Sequence, residues 1–237
     1  MVYKNKEGEF IYVRLPKKAG KLVIPECFGE YQCISIGSEE FTTWDGLIKV
    51  IIPESVTSIG GWTFSGCRNL TNIEMPKSLT KIGPQAFANC NKLTSIKIPE
   101  SVTAIGNGAF ACCRSLTNIE IPSSITFISH DTFYECSGLT SVNIHKGITS
   151  IGHSAFSGCS GLTSIEIPDS VTSIGPLAFY RCNKLANINI PKTVTSIERD
   201  AFYGCTNLDI TIDNSKDNIK VEKNVFKNCK SVTWLKD

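Results

Sequence analysis

Little in these 237 residues suggests chemistry on charged ligands. Only 19% of them are Asp, Glu, Lys or Arg, and 24 basic residues nearly balance 22 acidic ones, for a formal net charge of +2. A nucleic acid or an anionic membrane usually requires a concentrated basic stripe, so neither is an expected partner. No apolar run approaches the roughly 20 residues of a transmembrane helix, and membrane insertion is not expected. The N-terminal stretch Met-Val-Tyr-Lys-Asn-Lys-Glu-Gly-Glu-Phe has no apolar h-region, so a signal peptide is not expected in it. Only three histidines are present, and none accompanies a serine in a pattern such as Gly-x-Ser-x-Gly. The glycines form no phosphate-binding loop. No catalytic arrangement and no cofactor are expected.

What is present is repetition. Pro53, Pro76, Pro99, Pro122, His145, Pro168 and Pro191 recur every 23 residues. Phe64, Phe87, Phe110, Phe133, Phe156, Phe179 and Phe202 form a second column, and Cys67, Cys90, Cys113, Cys136, Cys159, Cys182 and Cys205 follow three residues later. A period of about 20 to 29 residues with a Leu-x-x-Ile-x-Ile core marks a leucine-rich repeat solenoid. The expected fold is an α/β repeat: parallel strands stacked in a curved right-handed coil, with short helical turns on the other side.

One unit shows the pattern. Leu162-Thr-Ser-Ile-Glu-Ile167 alternates, so Ile165 and Ile167 point inward while Ser164 and Glu166 point outward. Val171-Thr-Ser-Ile174 reads as a second short strand and Gly175 as a turn. Pro176-Leu-Ala-Phe-Tyr-Arg-Cys182 reads as a helical turn with Pro near its start. The inward set is Val171, Ile174, Ala178, Phe179, Cys182, Leu185, Ile188 and Ile190. Residues 1–24, a strand, a turn at 16–20 and a strand, form an N-terminal cap. The repeats occupy 25–212 as units 25–52, 53–75, 76–98, 99–121, 122–144, 145–167, 168–190 and 191–212. The first carries five extra residues around Cys27 to Tyr31, with Trp44 at the cysteine position. Residues 213–237, with six lysines, form a C-terminal partial repeat and cap.

Eleven cysteines would suggest a disulfide scaffold, but seven share one column of stacked coils. Parallel neighbours repeat at about 4.8 Å with their side chains aligned, whereas a disulfide needs Cβ atoms roughly 3.8 Å apart and turned toward each other. The column is therefore a reduced packing ladder. Cys27 with Cys33 is the only plausible bridge, and Cys112 is the thiol expected to be most reactive.

The unit Ile-Pro-x-Ser-Val-Thr-Ser-Ile-Gly-x-x-Ala-Phe-x-x-Cys-x-x-Leu-Thr-x-Ile resembles the Treponema pallidum or BspA-like class of leucine-rich repeats, over about residues 22–237. The resemblance implies that the Leu-Thr-x-Ile-x-Ile strand lines a concave face. It also implies a cell-surface or secreted setting in host-associated bacteria, and a role as an adhesin that binds host matrix or cell-surface proteins.

On that strand the outward residues include Asn72, Glu74, Lys97, Asn118, Glu120, Asn143, Glu166 and Asn189, a polar and mildly acidic face and the first partner-binding candidate. Tyr134, Tyr180 and Tyr203 share the position after the core Phe and form a second candidate, unless each ring simply packs over its neighbouring coil. His130 and His153 occupy one position of adjacent coils, with Asp131 beside the first, and are weak candidates for a metal ion or for a glycan. The chain thus reads as a monomeric protein-binding module, with a spacer that presents another domain as the alternative.

Overall fold

Each 23-residue unit makes one turn of a solenoid with three sides. The computed structural model describes residues 1–17 and 20–236. The first side is a parallel sheet in two groups. Gly20–Val23, Leu47–Ile51 and Asn72–Glu74 form one; Asn118–Glu120, Ser141–Asn143, Ser164–Ile165, Asn187–Ile190, Asp209–Ile212 and Ser231–Trp234 form the other. The second side is a sheet of shorter strands, also in two groups. Tyr31–Ile36, Ser58–Ile59, Lys81–Ile82 and Ala104–Ile105 precede Phe127–Ile128, Ser150–Ile151, Ser173–Ile174, Ser196–Ile197 and Lys220–Val221. Pairing is in register at one coil, Val142 opposite Ile165 and Ile174 opposite Ile197, so equivalent residues stack.

The eight inward positions of the unit at 168–190 are all buried. The Phe rings form a continuous stack from Phe41 to Phe226, with neighbouring centroids 5.1 to 6.3 Å apart and interplanar angles of 18° or less. That spacing lies within the favourable range for offset aromatic pairs. Trp44, in the first coil, is buried against Phe41.

The expected short helical turns do not form. Among the described residues the only helix is the 3-10 turn Lys216–Asn218. The third side is instead punctuated by pairs of left-handed residues four apart, such as Gln85 and Asn89, Asp131 and Glu135, Leu177 and Arg181. A single left-handed residue ends a right-handed helix. The backbone bonds explain why this conformation wins. The N–H groups of Trp62, Phe64 and Gly66 donate forward to the carbonyls of Pro84, Ala86 and Ala88 on the next coil, at 2.7–2.9 Å. Those of Ser65 and Cys67 close turns on Trp62 and Phe64. These five donors are thus satisfied without an α-helical turn.

The cysteine ladder is a column of thiol donors. Cys67, Cys90, Cys113, Cys136, Cys159, Cys182, Cys205 and Cys229 each donate to the carbonyl of the Phe in the preceding coil, at 2.9–3.3 Å. All eleven cysteines are free. Burial pushes the Cys67 thiol up to about 11 and the Cys113 thiol up to about 12, so the ladder stays protonated and keeps its donors. Cys27 and Cys33 do not bridge. Cys27 pairs with Gln32, which turns its neighbour Cys33 to the opposite, buried face. Burial also raises the thiol of Cys112, which opposes the reactivity expected of it.

At the N-terminus, Phe10–Tyr12 and Gly20–Val23 are strands, while residues 18 and 19 of the expected turn lie outside the described residues. Val2–Lys4, a strand not expected from the sequence, pairs antiparallel with both Phe10–Tyr12 and Tyr31–Ile36. It buries Tyr3, whose hydroxyl donates to the Pro25 carbonyl at 3.2 Å. The five extra residues of the first coil fold back as Cys27–Phe28 against Tyr31–Ile36, turning at Gly29 with φ 62°. At the other end Phe226, Val232 and Trp234 are half-buried, and Lys216 lies 5.5 Å from the Trp234 ring. Asp237, the last residue of the expected cap, lies outside the described residues.

Both sheets are interrupted in mid-array. The second breaks between Ala104–Ile105 and Phe127–Ile128, where Ser129 departs from its column. Its column otherwise holds Gly37, Gly60, Gly83, Gly106, Gly152 and Gly175, with Glu198 one coil later. A Cβ built on Gly106 would lie 2.4 Å from the nitrogen of Pro84. Gly106 and Gly152 donate their N–H to Ile82 and Ile128; at Ser129 the hydroxyl takes the Ile105 carbonyl instead, at 2.6 Å. Side-chain capture of a backbone acceptor displaces the ladder bond. The third side bridges the gap, with Phe110 still bonded to Thr132.

Two outcomes follow. Phe156→Ala removes a ring from the middle of the stack and should cost about 3–5 kcal/mol, read as a lower urea midpoint than the parent chain. With iodoacetamide at pH 8, Cys27 should alkylate in the native state and the ladder thiols only after unfolding, with peptide mass spectrometry as the readout.

Candidate interaction surfaces

Alternation along the first-side strands places every second residue outside. Asn118, Ser141, Ser164, Asn187, Asp209 and Ser231 therefore form one register-matched column. Glu120 pairs with Asn143, and Asn189 with Thr211 and then Thr233, in a second. Of the candidates on this face, Asn72, Glu74, Lys97, Asn118, Glu120, Asn143, Glu166 and Asn189 are all exposed.

The surface brings these residues together in two places. A groove of about 610 Å³ near the C-terminal end unites Glu166 and Asn189 with Asn187, Asp169, Asp213 and Leu235. Leu235 is an exposed apolar residue beside the carboxylates of Glu166, Asp169 and Asp213. A second groove, of about 580 Å³, opens where the first sheet is interrupted at residues 95–97 and unites Glu74 and Lys97 with Met75, Lys77, Pro99 and Glu100. Glu74 is ion-paired with Lys49. The second groove escaped the sequence reading, because nothing in Ser95-Ile96-Lys97 differs in pattern from the strands on either side. Asn118, Glu120 and Asn143 lie on the open sheet between the two grooves.

The tyrosines occupy the third side. Tyr180 and Tyr203 are half-buried and stack on each other at 5.5 Å and 20°, so for these two the rings do pack across coils. Arg181 lies 5.0 Å from the Tyr180 ring and Lys227 5.5 Å from the Tyr203 ring, within cation–π range. Tyr134 stands apart, 39% exposed, because the intervening coil has Ser157 at this position. The interruption leaves a hollow of about 510 Å³ lined by Tyr134, Ser154, Ser157, Tyr180, Asp200 and Tyr203, with Leu177. Ser157 is the signal in the sequence that could have found it.

The histidines make a hydrogen-bonded pair. The Nδ1 of His130 accepts the backbone N–H of His153 at 2.9 Å, and the two ring centroids are 6.3 Å apart. That bond occupies one of the two ring nitrogens of His130. Among the described residues no three or more His, Cys, Asp or Glu side chains gather where a metal ion could sit. His145 is likewise engaged, Nδ1 accepting from Gly147 and Nε2 donating to the Pro122 carbonyl, each at 3.0 Å.

Known proteins locate this architecture. Residues 34–162 and 103–233 match the BspA type leucine rich repeat region, in six copies. The chain is similar to a crystal structure of a leucine-rich repeat protein from Bacteroides ovatus, at 27% identity and TM-score 0.76, over 91% of this chain and 69% of that one. It is similar to the T. pallidum leucine rich repeat protein at 28% identity and TM-score 0.70, over 78% and 87% of the two chains. A leucine rich cell surface protein from Faecalibacterium prausnitzii shares 26% identity at TM-score 0.76, over 98% and 74%. No curated protein matches the sequence. No helix among the described residues is long and apolar enough to cross a membrane.

One electrostatic outcome can be checked on the strand face. Hydrogen bonds from the Lys230 ammonium and the Ser231 hydroxyl hold the Asp209 carboxyl below its usual range. A depressed folded pKa contributes stability above the ordinary Asp value and loses it as pH falls through the folded one. In Lys230→Met the NMR titration midpoint of Asp209 should move up toward the ordinary value.

Proposed function

This chain belongs to the BspA type leucine-rich repeat family, and we propose that it is a rigid, non-enzymatic protein-binding module. It is the repeat domain of a cell-surface or secreted bacterial adhesin that binds host matrix or cell-surface proteins. The observation that carries this reading is the strand face, where exposed polar residues are held in register at one-coil intervals by a sheet already formed. Binding to such a surface orders little that was not already ordered, so many modest polar contacts can add up. The surface or secreted setting is supported by the similar protein from F. prausnitzii, which is described as a cell surface protein.

In this reading residues 1–24 and 213–237 cap the repeats of 25–212, and the chain acts as a monomer. Nucleic acid is not a partner, in keeping with the net charge of +2. The strand face carries no aromatic residue at the candidate positions, and this favours the second reading, a spacer that presents another domain and recognises nothing itself.

The test is biolayer interferometry of the purified chain against a panel of extracellular matrix proteins. Saturable binding that falls by about tenfold or more in a Glu120→Lys, Glu166→Lys variant of unchanged Tm supports the module and its face. Binding indifferent to those changes sinks the strand face as the site. Silence across the panel favours the spacer.

A further inference from the structure

The column after the core Phe reads Tyr134, Ser157, Tyr180 and Tyr203 in four successive coils. Tyr180 and Tyr203 are spaced one coil apart at 5.5 Å. Tyr134 and Tyr180 are two coils apart, about twice that distance, with the place of one ring vacant between them. Lys227 continues the column beyond Tyr203, 5.5 Å from its ring, and Arg181 runs toward Gly204 on the next coil. Neither lines the vacancy.

The vacancy has a polar floor. Ser154 and Ser157 are buried, and both border the hollow. Among the described residues neither hydroxyl has a hydrogen-bond partner. Neither hydroxyl oxygen is among the sealed, unsatisfied atoms of the protein, so both are open to bond a ligand that enters the hollow. Asp200 adds a carboxylate acceptor at the rim, and Glu135 lies close by, over Gly158.

We propose that this vacancy is a subsite for one neutral sugar ring of glucose configuration. Three features select that ligand. Two tyrosine walls demand a ring that is apolar on both faces, and a pyranose whose hydroxyls are all equatorial presents C–H groups on both. Its rim of hydroxyls meets the Ser154 and Ser157 hydroxyls and the Asp200 carboxylate, which an aromatic side chain of a partner protein would leave unpaired. The acidic surround of Asp200 and Glu135 repels anionic sugars. The site is on the third side of the coil and is independent of the strand face.

The experiment is a ¹H–¹⁵N NMR titration of the full chain with methyl β-glucoside. Saturable shifts at Ser154, Ser157 and Tyr134 are expected, with a dissociation constant on the order of millimolar for so small a ligand. Methyl β-galactoside, with one axial hydroxyl, should bind several-fold more weakly. Ser157→Tyr fills the vacancy and should abolish the shifts. Tyr134→Ala, at an exposed position, removes one wall and should weaken them at unchanged Tm, which covers a failure of Ser157→Tyr to fold. Cellotetraose and N-acetyllactosamine serve as polysaccharide and glycoprotein probes, the tighter of the two naming the source. Absence of saturable shifts, or shifts indifferent to both variants, overturns the proposal. So does N-acetyltyrosinamide occupying the site where the sugars do not.

Discussion

The distance from one coil to the next governs this molecule. Core rings repeat at 5.1 to 6.3 Å, and the backbone at the glycine column comes closer still, leaving 2.4 Å to an added Cβ at Gly106. At such spacing a residue packs chiefly against its own counterpart. Phe stacks on Phe, the Cys thiol reaches the Phe carbonyl of the coil before, and the Thr80 and Thr103 hydroxyls meet the carbonyls of Thr57 and Thr80. Repetition of the sequence is therefore a steric requirement of the fold. Departures from it coincide with local changes, as at Ser129, whose hydroxyl takes the Ile105 carbonyl where the second sheet is interrupted.

The strands, the inward eight residues and the reduced cysteine column were legible because each repeats at the period of the coil. The third side was misread for an equally physical reason. Pro176-Leu-Ala-Phe-Tyr-Arg-Cys182 has the composition of a short helix, and local propensity is a weak guide once neighbouring coils compete for the same donors. The left-handed conformations that break it fall on Leu177 and Arg181, residues with no local reason to adopt them. The candidate surfaces were half legible. The outward polar columns follow from alternation, but the grooves depend on where the sheet is interrupted and on how side chains spread. The tyrosine hollow lay in plain view as a Ser in a run of Tyr, and is recognisable only once the column is known to be a stack.

The architecture separates what holds the chain together from what it displays. Inward and intercoil positions are fixed by the neighbouring coil, while outward ones are constrained by little beyond solubility. Repeat arrays of this kind gain stability from nearest-neighbour contacts, so a polar residue on the strand face can change without disturbing the Phe stack behind it. The strand face and the tyrosine column accordingly differ in character on the same scaffold, one small and polar, the other aromatic.

The third side also has a direction. Its intercoil N–H groups, such as those of Trp62, Phe64 and Gly66, point toward the C-terminal coil and the carbonyls that receive them point back toward the N-terminal one, unlike the sheets, whose strand dipoles largely cancel. Aligned peptide dipoles add, so this side acts as a long electrical dipole, negative where the array starts and positive where it ends. Lys17 already sits at the negative pole, its ammonium on the Thr42 carbonyl at 2.8 Å. At the positive pole the N–H groups of Asn224, Phe226 and Asn228 have no partner among the described residues. Whatever adjoins the last coil, solvent or further chain, meets a row of hydrogen-bond donors there, and an acceptor-rich or anionic neighbour fits that end better than a basic one.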